Sequence, residues 1–180
     1  MTMWLAAAYL LVSAGCVYSV SKLYSDRKKA YAKSALTSYI LYTMLFAAAW
    51  VFAVKVPWYS LLLTMLALLA NCFLGYHRRL YVRSKTFDRA LHAYGAFSFS
   101  LLTYFALGNY FDMGPSPAFR ALGIFFIGNT LGLNFELAEA FHDSHNKVKD
   151  QRGLTDTNMD MFFDVLGSAA AAVSAFLFIF

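Results

Sequence analysis

Residues 35–75 read ALTSYILYTMLFAAAWVFAVKVPWYSLLLTMLALLANCFLG, and Lys55 is the only charged residue among them. Two apolar runs, 35–54 and 57–75, flank the break Lys55-Val56-Pro57. Each run approaches or reaches the roughly 20 residues that a helix needs to cross the hydrocarbon of a bilayer. The break is a tight turn, with Pro57 at a helix start, where its missing N–H does no harm. Working outward, four more runs of similar length occupy 3–21, 90–111, 121–141 and 159–180. The expected fold is all-α: a polytopic membrane helix bundle of about six transmembrane helices, forming one integral membrane domain over residues 1–180.

Composition agrees. Hydrophobic residues make up 60% of the chain and charged residues 14%, against about 45–50% and about 25% in soluble domains. So much apolar surface must face lipid as well as a core. The net charge of +5 does not indicate nucleic acid, because the basic residues sit in short loops between apolar runs rather than in a basic module. Cys16 and Cys72 both lie inside apolar runs and are too few for a disulfide framework. Ser13-Ala14-Gly15-Cys16 is similar to a lipoprotein cleavage box, with Ser where Leu is expected. No Lys or Arg precedes the first run, so the reading is a retained spanning helix.

Between the runs lie three basic loops. The first holds Lys22, Arg27, Lys28, Lys29 and Lys33; the second holds Arg78, Arg79, Arg83, Lys85 and Arg89; the third holds Lys147, Lys149 and Arg152. Only Lys55 and Arg120 fall on the other side. The positive-inside rule places the three loops in the cytoplasm and both termini outside it, in a multi-pass protein of the cytoplasmic (inner) membrane. Trp4, Tyr24, Trp58, Tyr59, Tyr76 and Tyr110 stand near span ends, where such rings anchor at the interface.

The unusual residues are acidic. Seven of the ten lie between Glu136 and Asp164, and an ionisable group inside a membrane helix costs about 2.5–3.5 kcal/mol on insertion scales. Asp88 and His92 are four apart at the start of the fourth span, hence on one face. Gly128 and Gly132 form a small-xxx-small seam on the fifth span. Glu136, Glu139 and Asp143 continue that face, with Glu136 about 9 Å inside the helix end. Asp156, Asp160 and Asp164 make an acidic stripe on the sixth span, with Gly167 and Ala171 as its packing seam. Capping accounts for Asp156 and in part for Asp160, but not for Asp164, two turns further in. Antiparallel packing of the last two spans would bring these carboxylates together. They then require a cation, shared protons, or Arg89, His92, Arg152 and His142 as partners. A single Glu139-x-x-His142 also has the spacing used in carboxylate-bridged metal bundles.

These motifs resemble those of the bacterial inner-membrane proteins of the YjdF type. The shared features are D-R-x-x-H (Asp88, Arg89, His92, followed by Gly95) and E-x-x-E (Glu136, Glu139). A third segment carries Gln151, Gly153, Asp156, Asp160, Met161 and Gly167. The resemblance covers residues 75–175, with Ala140 at a position often Trp and Arg152 interrupting Gln-Gly. The last span is similar to VanZ-like membrane proteins, with Asp160, Asp164 and Gly167 on D-x-x-x-N-x-x-G and Asp in place of Asn. The VanZ likeness implies the lipids of the cell envelope.

The leading functional expectation is an enzyme acting on a lipid or lipid-linked phosphate. A divalent cation, Mg²⁺ or Mn²⁺, would be held by His92, Glu136, Glu139, Asp156 and Asp160. Asp88, Arg89, His92 and Asp164 would act at the reacting centre, with Arg89 steadying an anionic head group. Partners are membrane lipids, phosphate-bearing ones included, and a second copy or another membrane protein; nucleic acid is not among them. The alternatives are a structural or accessory membrane subunit and a proton- or cation-coupled transporter. The transporter would need a homodimer, because the halves show no internal repeat.

Overall fold

A computed structural model describes residues 3–84, 86–145, 149 and 151–180. Lys85 and Lys147, assigned above to the second and third basic loops, lie outside the described residues. The ordered elements are all helical: α1 (Met3–Ser25), α2 (Lys29–Val51), α3 (Trp58–Leu69), α4 (Leu80–Arg83), α5 (Phe87–Leu107), α6 (Pro117–His145) and α7 (Leu154–Phe178). A π-helical turn, Ala70–His77, continues α3, so that Trp58–His77 is one span. Among the described residues, six helices are long and apolar enough to cross a membrane. The protein is a polytopic helical membrane protein.

The helices outrun the apolar runs that announce them. α1 continues through Lys22 to Ser25, α2 begins at Lys29, and α6 extends to His145. The first basic loop shrinks to residues 26–28, where Asp26 pairs with Lys22 at 3.3 Å and Lys28 at 3.7 Å. Hydrogen bonding from the Lys22 ammonium holds the Asp26 carboxyl below its ordinary range. The reason is that the i→i−4 ladder ignores side-chain polarity, so a helix carries charged residues out past the hydrocarbon edge. Pro57 stands at the start of α3, as its N-cap. Gly153, at φ +109°, is the N-cap of α7, and Asp156 in the first turn accepts a backbone N–H from Arg152.

The chain divides into two compact units, residues 1–88 and 89–180, a grouping that no feature of the sequence announced. In the first, α1 packs against α2, α3 and the π turn. Its buried seam is polar in places: the Tyr42 hydroxyl meets Thr64 Oγ1 at 3.0 Å, and Tyr9 donates to Thr43 at 3.0 Å. Cys16 and Cys72 are fully buried free thiols. Trp4 and Trp58 meet edge to face at one end, while Tyr31, Tyr76 and Tyr81 cluster at the other. Tyr81 packs over Gly75 and donates to Asn71 Oδ1 at 2.6 Å, tying the polar segment back onto the π turn.

The second unit contains α5 from Arg89 onward, α6 and α7. Its helices approach closely at three glycines, which is how membrane helices gain packing energy without a hydrophobic drive. A Cβ on Gly128 would lie 2.3 Å from Ser168 Oγ and 3.1 Å from Ser100 Cβ. One on Gly132 would lie 2.5 Å from Asp164 Oδ2, and one on Gly167 only 2.0 Å from the Ala93 carbonyl oxygen. The seams read from Gly128, Gly132, Gly167 and Ala171 are real contacts, and Ala171 is fully buried. Gly95 is different: nothing lies within 4 Å of its virtual Cβ.

Candidate functional site

His92 on α5, Glu136 on α6, and Asp160 and Asp164 on α7 are buried, with 8%, 3%, 3% and 4% of their surface exposed. They come together because each glycine seam removes a side chain beside a polar residue. Gly132 precedes Glu136 by one turn and leaves space for Asp164. Gly167 follows Asp164 by three residues and rests on Ala93, next to His92.

The imidazole is the hub. Its Nδ1 lies 3.3 Å from both carboxylate oxygens of Asp164, and its Nε2 lies 3.7 Å from Glu136 Oε1. The Phe135 ring meets the imidazole edge to face and closes that side. Glu136 is held from beyond the helix. Gln151 Nε2 donates to its backbone oxygen and to its Oε2, each at 3.1 Å. Glu136 Oε1 accepts no hydrogen bond among the described residues. Ser168 donates to the Asp164 backbone oxygen at 2.7 Å, bracing α7 at that level.

One imidazole nitrogen and one oxygen each from Glu136 and Asp160 all lie within 4.8 Å of one another. Ligands on opposite sides of a single ion, with bonds of about 2.4 Å, stand up to roughly 4.8 Å apart. The three donors could hold one cation. Burying a carboxylate without compensation is costly, and here at least three accompany one imidazole.

The remaining sequence candidates fall around this set. Glu139 lies three residues beyond Glu136, turned about 60° on the helix; it is half-buried and not one of the three converging donors. Asp156 is half-buried in the first turn of α7. It accepts from Arg152 Nε at 3.0 Å and from the Arg152 backbone N–H at 3.3 Å, and one of its carboxylate oxygens lies within 4.8 Å of one of Asp160's. Asp143 accepts from the Gln151 backbone N–H at 3.1 Å, and Lys149 donates to its backbone oxygen. His142 lies 3.7 Å from Asp143, outside the converging set. Asp88 stands in the first turn of α5, half-buried, one turn before His92. Arg89 is half-buried, three residues before His92 on the same side of α5, and its Nε donates no hydrogen bond among the described residues. Glu136 lies nine residues from the end of α6, about 13 Å, deeper than the 9 Å expected, because α6 runs on to His145.

Reading residue by residue gave Gln151 no role. It lies outside the helices in a polar link, and only its place in the YjdF-type motif marked it. Asp164, expected among the groups at the reacting centre, faces Nδ1 of His92.

The fold and this cluster define a class: a multi-span helical membrane protein with a buried carboxylate–imidazole centre. The chain belongs to the family described as "Predicted membrane protein (DUF2238)", whose model matches residues 2–179. No curated protein and no solved structure matches it significantly.

Proposed function

We propose that the protein is a divalent-metal-dependent membrane enzyme acting on a lipid or lipid-linked phosphate. The observation that carries this reading is the convergence of His92, Glu136 and Asp160 within 4.8 Å. It is reinforced by the buried Glu136 Oε1, which has no hydrogen bond among the described residues and lies 3.7 Å from the imidazole. Three protein donors leave positions on a cation for water and for a substrate oxygen, the arrangement of catalytic rather than structural sites. The cation would neutralise phosphate charge and lower the pKa of a bound water. Attack on phosphorus would form one P–O bond and break the ester P–O bond, with the leaving alkoxide taking a proton. Asp156, beside Asp160, would handle that proton, and Arg89, whose Nε–H meets no acceptor among the described residues, would steady an anionic head group.

The cluster lies at the end of the second unit where α5 starts and α6 joins α7. By the positive-inside rule this is the cytoplasmic end, in the inner membrane, with both termini outside the cytoplasm. The YjdF-type likeness of residues 75–175 is in keeping with that location, and the VanZ-like last span directs the reading to cell-envelope lipids. Protein stripped with chelator in detergent and titrated calorimetrically is expected to bind one equivalent of Mn²⁺ or Mg²⁺. Loaded protein should then release phosphate or alcohol from lipid phosphates in mixed micelles. A protein that retains no divalent ion and takes none up would end this reading.

A second reading is favoured by the succession Asp164–His92–Glu136, a carboxylate–imidazole–carboxylate chain suited to passing a proton. It predicts proton movement by protein reconstituted in vesicles under a pH gradient, with no requirement for metal.

A further inference from the structure

The metal reading leaves Asp164 without a part, since His92, Glu136 and Asp160 already supply the three converging donors. Asp164 is nevertheless among the most confined groups in the unit. It is 4% exposed, and both its oxygens lie 3.3 Å from His92 Nδ1. Its pocket exists only because residue 132 is glycine, since a Cβ there would stand 2.5 to 2.7 Å from its Oδ2, Cγ and Cβ. Imidazole has two nitrogens, and a proton held on one leaves the lone pair on the other. A carboxylate on Nδ1 keeps the proton there, so Nε2, on the Glu136 side, would carry the lone pair toward a cation. Such carboxylate–imidazole–metal relays also raise the basicity of the ligating nitrogen.

We infer that Asp164 is a positioning residue that makes His92 a metal ligand through Nε2, and that this pairing biases the centre toward Mn²⁺ over Mg²⁺. The inference rests on the metal reading above and deepens it. Carboxylates serve both ions, whereas imidazole is a better ligand for transition ions than for Mg²⁺. The His92 contribution is thus where the two ions are told apart, and Asp164 controls that contribution. Glu136 and Asp160 bind either.

The test is calorimetric titration of the full-length, chelator-stripped protein with Mn²⁺ and separately with Mg²⁺, for wild type, Asp164→Asn and Gly132→Ala. Asn is isosteric and removes a buried charge, so that variant is expected to keep its helical content and its elution as a single species. Gly132→Ala leaves Asp164 in the chain but pushes its carboxylate off Nδ1. The expected result is at least a tenfold preference for Mn²⁺ in wild type. Both variants should lose Mn²⁺ affinity by about 10- to 100-fold while Mg²⁺ affinity changes by less than about threefold, collapsing the ratio. A variant that loses both ions by the same factor, or neither, overturns the role given to Asp164. Wild type binding neither ion sinks the metal reading instead, and wild type binding both equally removes the bias toward Mn²⁺.

Discussion

Gly167→Ala is expected to lower the stability of the second unit by about 3 kcal/mol, the upper part of the range for overpacking. The added methyl would stand 2.0 Å from the Ala93 carbonyl oxygen, 2.7 Å from its carbon and 2.9 Å from its Cα. A carbon and a carbonyl oxygen normally rest at about 3.3 Å or more. Both partners here are backbone in the middle of helices, so neither can swing aside as a flexible side chain would; α7 must move off α5. The damage would reach the polar cluster, because Asp164 precedes Gly167 by three residues and His92 adjoins Ala93. Gly95→Ala is the control. It lies on the same helix as Ala93, yet nothing lies within 4 Å of its virtual Cβ, so the substitution should be neutral or stabilising by up to about 1 kcal/mol. Thermal unfolding in detergent, followed by far-ultraviolet circular dichroism, checks the pair. Equal melting temperatures for the two variants would show that the α5–α7 approach is not as close as described.

The second large effect concerns the cluster itself. Glu136→Gln is expected to weaken binding of both Mn²⁺ and Mg²⁺, and His92→Ala that of Mn²⁺, by about 100-fold or more, exceeding the effect of losing an outer group. Metal-dependent turnover of a lipid phosphate should disappear with it. The two variants separate a ligand role from a packing role. Glu136→Gln keeps the shape and can still bond to Gln151, which presently donates to Oε2 at 3.1 Å. It also removes one buried negative charge. If the cluster merely glued helices together, this variant would be as stable as wild type or more so, and otherwise unaffected. His92→Ala, by contrast, takes away the group that faces both Glu136 and Asp164, so the metal-free protein should also be less stable. Cation affinity left intact in Glu136→Gln, with folding intact, would refute Glu136 as a ligand.

The contrast between these variants reflects what each level of structure contributes. Apolar runs of about 20 residues separated by charged or Pro/Gly breaks announce spanning helices, because the bilayer's thickness dictates their length. The 3.6-residue period placed Gly128, Gly132 and Glu136 on one face and Asp160, Asp164 and Gly167 on another. It also marked His92 as a residue on a polar helix start. All of that is local, and a single sequence carries it.

What remained hidden depends on how one helix is rotated and shifted against its neighbour. Periodicity names a face, but it does not say which level of α6 meets which level of α7. The contact of Gly132 with Asp164 sets that register, and that of Gly167 with Ala93 sets α7 against α5. The register then selects Glu136 over Glu139 and Asp160 over Asp156 as donors converging with His92. It also puts Asp164 against Nδ1 of His92. Gln151 shows the same limit from another side: a polar side chain in a link has no period to read, and only the return of the chain over Glu136 gives it a partner. The sequence by itself therefore determined the number, approximate place and polar faces of the spanning helices. The tertiary structure alone decided which buried charges share a site, because that follows from close packing between helices and not from any property of one of them.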